Sequence, residues 1–256
     1  MKIAIINKSS ASDAAIAGVA DAMGVYLNQF VCNDYERQPV DVYVEDPATQ
    51  PAEIVHPDII PCYVFEQPGP TELGILAYHD SQKGCAFIRA FLSVIPNREL
   101  LHDPAGRGAS LCGAMLHDAA ETVIDTSARL YVDAKFSDPR TGASFGQVAL
   151  EICDPVQDDA WSWPKNGLAY DMPNYVKPAW FLWDSPPSSF DHMGLLAAPL
   201  TMRPGGYLIA RAEDGGEQVV DARRTSRIAH EVSAATWRAA HRAAGPGGRS
   251  TRRDYP

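Results

Sequence analysis

Apolar side chains recur at helical spacing in two stretches of this chain, and both stretches predict helices. Between residues 13 and 30 the apolar positions repeat every three to four residues, which predicts a helix that opens at residues 9–13, runs to about residue 30 and packs on a sheet. The second predicted helix covers residues 110–125, where Ser110 is a suitable N-cap and no proline interrupts the run. Its apolar side is formed by Cys112, Leu116, Ala120 and Val123. We therefore expect one side of this helix to pack and the other to carry polar chemistry.

Short apolar and β-branched runs bounded by turn residues predict the strands. They are expected at residues 2–6, 40–44, 73–79, 85–95, 130–134 and 147–153, with a turn and a late strand at residues 205–210. Residues 80–84 have the composition of a turn, so the strands beside them are expected to form a β-hairpin. Six prolines between residues 47 and 70 predict a surface loop with short extended pieces instead of a helix or a central strand. Residues 154–204 lack periodicity. They are expected to wrap a functional site on the second helix and not to contribute strands to the sheet.

This order of elements fits an α+β domain, with a mixed β-sheet, one helix bearing the site, one backing helix and a loop-rich C-terminal half. A length of 256 residues favours one domain, assigned to residues 1–221, followed by a tail at residues 222–256. The tail has eight arginines and two acidic residues and predicts a solvated helix at residues 225–244 with a disordered end; contact with an anionic partner is the alternative. The net charge of −10 argues against general nucleic-acid binding.

The chain shows no sequence signal for export or for cysteine chemistry. Its longest apolar runs are too short to cross a membrane, and the N-terminal residues lack the apolar stretch and cleavage site of a signal peptide, so we expect a cytoplasmic protein without membrane contact. The five cysteines are odd in number and have no C-x-x-C spacing. They predict neither a disulfide framework nor a cysteine zinc site.

The second helix carries residues suited to a metal site. His117 and Glu121 are four residues apart, so they project from one helix face and can grip one ion. Asp118 stands where a helical zinc peptidase keeps the carboxylate that activates water. Hydrolytic zinc needs a third protein ligand, for which Glu151 ranks first and Asp154 second. This donor set favours Zn and leaves Mn or Ca open.

Each of these residues also has a purely structural interpretation. His117 and Glu121 would then form an ordinary i,i+4 pair on a helix surface, and Glu151 would be a solvent-facing position of an alternating strand. His79 and Asp80, beside the predicted hairpin turn, either orient a ligand from outside the first coordination shell or stabilise that turn.

Further candidates lie in the wrapping segment. Tyr175, His192 and Asp191 are there, and a tyrosine or histidine there could polarise a substrate carbonyl. Residues 106–108 precede the second helix but lack the Lys-Ser/Thr pair of a phosphate-binding loop, so nucleotide binding is disfavoured.

The chain resembles a family of uncharacterised bacterial and phage-associated proteins whose central helix carries a His-Glu-x-x-Glu motif and which are regarded as zincin-like metallopeptidases. The resemblance spans most of residues 1–210, in blocks that are specific only as an ordered set. The blocks lie at residues 6–9, 78–80, 117–121, 151–156, 176–181, 190–194 and 204–207. The resemblance implies a zincin-like fold and a zinc-dependent hydrolase acting on a peptide or protein.

Two positions depart from the pattern of that family. Asp118 replaces the first Glu of the motif and is one methylene shorter, and a shift of about 1 Å in a general base can cost on the order of a hundredfold in rate. Thr126 follows Asp125 where the family tends to have proline. The alternative to a peptidase is therefore a catalytically inactive zincin-like domain that binds a protein or a phage component. The sequence leaves the substrate and the oligomeric state open.

Overall fold

The computed structural model describes residues 1–46, 58–138, 143–182, 184–212 and 215–221. These residues form an α+β structure whose largest sheet has five strands in the order β2-β1-β3-β5-β4. The strands are β1 (Lys2–Lys8), β2 (Asp41–Glu45), β3 (Ile59–Phe65), β4 (Ala77–Gln82) and β5 (Cys85–Phe91). The first three and β5 run parallel, whereas β4 is antiparallel to β5, so the sheet is mixed as predicted. The turn between β4 and β5 is Lys83-Gly84, both at positive φ, which confirms the predicted hairpin.

Both predicted helices are confirmed. Helix α1 (Asp13–Tyr26) is capped by Ser12 and continues through a π-helical turn (Leu27–Val31) into α2 (Cys32–Asp34). Helix α3 (Leu111–Ile124) is capped by Ser110, whose hydroxyl accepts a hydrogen bond from Gly113 N at 3.0 Å.

Helix α3 differs from the expectation in its burial. Apart from the partly exposed His117, every residue of the helix is buried, because α3 packs against β4 and β5 and also against the later hairpin β8–β9 (Ala160–Lys165 and Leu168–Pro173). The helix therefore has no open polar side. Asp118 and Glu121 lie inside the protein.

A second, antiparallel sheet has the order β11-β10-β7-β6 and was not expected as a separate sheet. Its strands are β6 (Tyr131–Ser137), β7 (Ser144–Ala149), β10 (Tyr207–Arg211) and β11 (Glu217–Asp221). Strand β7 ends at Ala149, not at residue 153 as predicted, so residues 150–156 leave the sheet and form a connection with a 3-10 turn at Asp154–Val156. The wrapping segment after it includes the β8–β9 hairpin, which is separate from both sheets.

The proline-rich region was expected to form a surface loop with short extended pieces and no central strand, and this expectation is wrong for β3, which is a central strand. Pro61 pairs with Ala4 of β1, but the pairing of β3 with β5 begins only at the next residue, Cys62. At Pro61 the strand therefore has a neighbour on one side only. Proline has no backbone N–H to donate, so it fits a position where no partner on the second side needs that hydrogen bond. The rest of the predicted loop between residues 47 and 57, and the predicted tail at residues 222–256, lie outside the described residues.

One described helical segment, Asp13–Asp34, is long and apolar enough by composition to cross a membrane. In its most apolar window of 18 residues 61% is buried, and both a buried core helix and a signal sequence near the N-terminus meet the same criteria. All five cysteines are free thiols.

Candidate metal centre

The centre of α3 and the connection after β7 bring three potential ligands together. His117 Nε2 lies 3.4 Å from Glu121 Oε1 and 3.3 Å from Asp154 Oδ1. The three side chains offer ligand atoms that all lie within 4.8 Å of one another, a spacing that can hold one metal ion. Two of these residues are the predicted helical pair. The third is Asp154, which was the second-ranked candidate for the third ligand, and not Glu151, which was the first-ranked one.

The backbone around Asp154 is fixed to α3 and to the start of β10. The N–H of Cys153 donates to Glu121 Oε1 at 3.0 Å, and the N–H of Arg203 donates to the Pro155 carbonyl at 2.9 Å. Gly206 lies so close to Pro155 that a Cβ atom there would overlap its carbonyl oxygen. Residues 203–206 are thereby packed on the turn that carries Asp154.

Tyr207 follows this glycine and is a site residue that sequence reasoning missed as a candidate. It is partly exposed, and burial together with the nearby charge of Asp154 raises the pKa of its hydroxyl well above the ordinary value. The only sequence signal for it was its place at the end of the block at residues 204–207. Its role depends on a contact across more than fifty residues of chain, which no local pattern encodes.

A second cluster adjoins the first and is centred on His79 of β4. His79 Nδ1 lies 3.2 Å from Asp118 Oδ1 and 3.6 Å from Glu121 Oε2, and His79 Nε2 lies 3.4 Å from Glu151 Oε2. His79, Asp118 and Glu121 form another group with the spacing of metal ligands. Both His79 Nε2 and Glu151 Oε2 are buried and, among the described residues, have no hydrogen-bond partner.

Burial dominates the electrostatics of the carboxylates. It raises the pKa of Asp118 and Glu151, and together with the charge of Glu121 it raises the pKa of Asp154 to about 6. Burial also opposes ionisation of Glu121, but the adjacent His117 outweighs it and lowers the pKa of Glu121. Glu121 is therefore the carboxylate that this environment holds ionised most firmly.

The surplus of carboxylates also shifts the pKa values of the two histidines. Burial alone would lower the pKa of His79, but Glu151 and Asp118 outweigh it and raise the pKa to about 10. Burial likewise disfavours the charged form of His117, and the neighbouring Glu121 raises its pKa well above the ordinary value. Four buried carboxylates around two imidazoles thus attract positive charge.

The remaining candidates lie outside this network of contacts. Asp80 is the next residue after His79 on β4, so its side chain projects from the opposite face of the strand, and its carboxylate accepts the N–H of Ser81 at 2.7 Å. Tyr175 donates to Asp34 at 2.7 Å and lies 3.2 Å from His192 Nδ1. Tyr175, His192 and Asp34 form a separate cluster at the end of α2. Asp191 is buried and accepts backbone N–H groups, including that of Leu196 at 2.7 Å.

One further sequence pattern is excluded by its context. Residues 142–146 read Gly-Ala-Ser-Phe-Gly, the letters of a nucleophile elbow. Ser144, however, opens strand β7, which pairs with β6 and β10 and leads into a connection, not into the helix that such an elbow requires.

No family model, curated protein or solved structure matches this chain. Inference about function therefore depends on the geometry of the two clusters.

Proposed function

We propose that this protein is a zinc-dependent hydrolase that cleaves peptide bonds, with the cation held by His117, Glu121 and Asp154. The observation that carries the proposal is the convergence of His117 Nε2, Glu121 Oε1 and Asp154 Oδ1, with separations of 3.3–3.4 Å from the imidazole. One nitrogen and two carboxylates suit zinc, and the surplus of buried carboxylates favours a divalent cation. When bound, the cation would act as a Lewis acid that lowers the pKa of water and polarises a carbonyl.

The chain's own residues supply the other parts of a hydrolytic site. Asp118 is the general base, and His79 Nδ1, 3.2 Å from Asp118 Oδ1, fixes the orientation of its carboxylate. Tyr207, partly exposed beside Asp154, is the donor for the oxyanion that develops on the substrate. His117 and Tyr207 are the partly exposed residues of this cluster, and a peptide would reach the cation past them. A zincin-like architecture is part of this proposal.

A second candidate function has one observation in its favour. Asp118 is shorter than the glutamate of the motif it resembles, and its Oδ1 is already in contact with His79. A base held in this way fits a catalytically inactive zincin-like domain that keeps the metal and binds a protein or a phage component.

Metal analysis of the purified full chain tests the first proposal. We expect zinc in the native protein and a large loss of it in His117→Ala, because the substitution removes the only nitrogen ligand of this cluster. Equal and negligible metal content in both proteins would exclude a metallohydrolase.

Substitution of Asp118 distinguishes an enzyme from a binding module. Asp118→Glu should raise peptide hydrolysis, on the order of tenfold to a hundredfold, because the longer side chain restores the reach of the base. Asp118→Asn is the matched control and should remove activity while the His117 cluster still binds zinc. Hydrolysis of a peptide library, followed by mass spectrometry, is the measurement. Absence of cleavage by native protein and by Asp118→Glu, with zinc bound in both, would favour the binding module.

A further inference from the structure

The carboxylate of Glu121 divides its two oxygens between the two clusters. Glu121 Oε1 faces His117 Nε2 at 3.4 Å, and Glu121 Oε2 faces His79 Nδ1 at 3.6 Å. A glutamate that served a single mononuclear site would not need a histidine on each oxygen. We propose that the centre binds two divalent cations, the second held by His79, Asp118 and Glu121, with Glu121 bridging the pair.

The ligand set of the second subsite has the required spacing. His79, Asp118 and Glu121 offer atoms within 4.8 Å of one another, and all three side chains are buried. They come from two elements, strand β4 and helix α3, which pack directly on each other. One imidazole and two carboxylates form a mixed nitrogen and oxygen set that suits Zn²⁺ or Mn²⁺.

Two buried atoms on the other side of the His79 ring fit its role as a ligand. His79 Nε2 and Glu151 Oε2 face each other at 3.4 Å, yet they form no hydrogen bond, and His79 and Glu151 are only 4% and 9% exposed. Leaving such atoms unsatisfied is costly. An imidazole that gives Nδ1 to a cation carries its proton on Nε2, where Glu151 is placed to accept it. Metal-bound histidines commonly have this arrangement, with a carboxylate behind the ring.

The charges of the cluster agree with two bound cations per chain. Asp118, Glu121, Glu151 and Asp154 are all buried within it. With both imidazoles neutral, as ligands must be, two divalent cations balance the charge of the four carboxylates in their ionised form. The inference rests on the proposed function, because the two subsites share Glu121. In this two-cation form Asp118 would serve as a ligand instead of the general base, and the cations would supply the activation of water.

Calorimetric titration of the metal-free full chain with Zn²⁺ tests the proposal. We expect two ions per native chain, one in His79→Asn and one in His117→Asn. His102→Asn is the matched control, since His102 is also paired with a buried aspartate, Asp171 at 2.6 Å, outside both clusters, and it should still bind two ions. Circular dichroism establishes that each variant is folded.

Electron paramagnetic resonance of the Mn²⁺-loaded native chain provides a readout that needs no variant. Two ions bridged by one carboxylate should give an exchange-coupled signal, and His79→Asn should give the signal of isolated Mn²⁺. One ion per native chain with an uncoupled signal would overturn the second subsite and leave the proposed function intact. Two ions in both native protein and His79→Asn would also overturn it, because the second ion would then lie elsewhere. Absence of binding by the native chain would overturn both proposals.

Discussion

Glu151 and Asp154 are three residues apart and face different histidines. Strand β7 ends before them, and the connection turns through the short 3-10 turn, so Glu151 Oε2 lies 3.4 Å from His79 Nε2 while Asp154 Oδ1 lies 3.3 Å from His117 Nε2. The two carboxylates therefore have separable roles. Asp154 is placed as a ligand of the His117 cluster, and Glu151 is placed as the partner of the His79 ring.

Two isosteric substitutions in a His79→Asn background separate these roles, because only the His117 cluster can then bind a cation. Asp154→Asn should weaken Zn²⁺ binding by at least on the order of a hundredfold, since it removes a direct ligand, whereas Glu151→Gln should change it by less than about threefold. Calorimetric titration measures both. A large loss in Glu151→Gln with little change in Asp154→Asn would assign the third ligand to Glu151, the residue that the sequence ranked first.

At the residue scale, the sequence was informative where the chemistry is local. The pair His117 and Glu121 was predictable because four residues make one helical turn, and the N-cap Ser110 because its hydroxyl serves the adjacent backbone. The contact of His117 with Asp154 and not with Glu151, and the position of Tyr207 near Asp154, were not predictable. Both depend on where a strand ends and on the contact between residues 203–206 and Pro155.

Among the elements, the turn at Asp154–Val156 depends on a close backbone contact. Gly206→Ala would place a Cβ atom against the Pro155 carbonyl, and neither backbone can move without shifting Asp154. We expect a loss of about 1–3 kcal/mol in the free energy of unfolding and weaker Zn²⁺ binding. Urea unfolding in the presence of a chelator and zinc titration measure the two effects. Gly146→Ala in β7 is the control, because nothing lies within 4 Å of its added Cβ, and the prediction fails if both variants behave alike.

The hairpin β4–β5, which carries His79, is tied to the preceding segment by Glu72. This carboxylate accepts hydrogen bonds from Tyr78 Oη at 2.6 Å, Gly69 N at 2.7 Å and Arg89 at 3.0 Å. Burial alone would raise the pKa of Glu72, but the hydrogen bonds from Tyr78 and Gly69 outweigh it, so the pKa is lowered. The stabilisation is therefore complete above the unfolded pKa of about 4.3 and is lost as the pH falls through the folded pKa.

Glu72→Gln should consequently lower the free energy of unfolding at pH 7 by about 1–3 kcal/mol and by less in acid, because protonation already weakens the native carboxylate contacts there. Urea unfolding at a series of pH values between roughly 3 and 7 measures the difference. Glu36→Gln provides the comparison, because Glu36 is exposed. A loss that is the same at every pH would show that Glu72 contributes by packing and not as a carboxylate.

Across the whole molecule, the centre lies where separate parts of the chain meet. Strand β4 supplies His79, helix α3 supplies three residues, and the connection from the second sheet supplies Glu151 and Asp154. The order of elements was enough to predict an α+β class with a mixed sheet. It did not predict the division into two sheets, because strand pairing is set by long-range contacts and not by local pattern.

Because these parts converge on four buried carboxylates, the stability of the whole fold should depend on bound metal. A cation that binds only the folded state at a hundred times its Kd adds about 2.7 kcal/mol per site, which for a chain of this size raises Tm by roughly 5–10 °C. Calorimetric melting of the native chain with Zn²⁺ and with chelator measures the shift, and Mg²⁺ at equal concentration controls for ionic strength. The double variant His79→Asn/His117→Asn should lose the zinc response, since both nitrogen ligands are absent. Zinc-independent melting of the native protein would contradict a metal centre at this position.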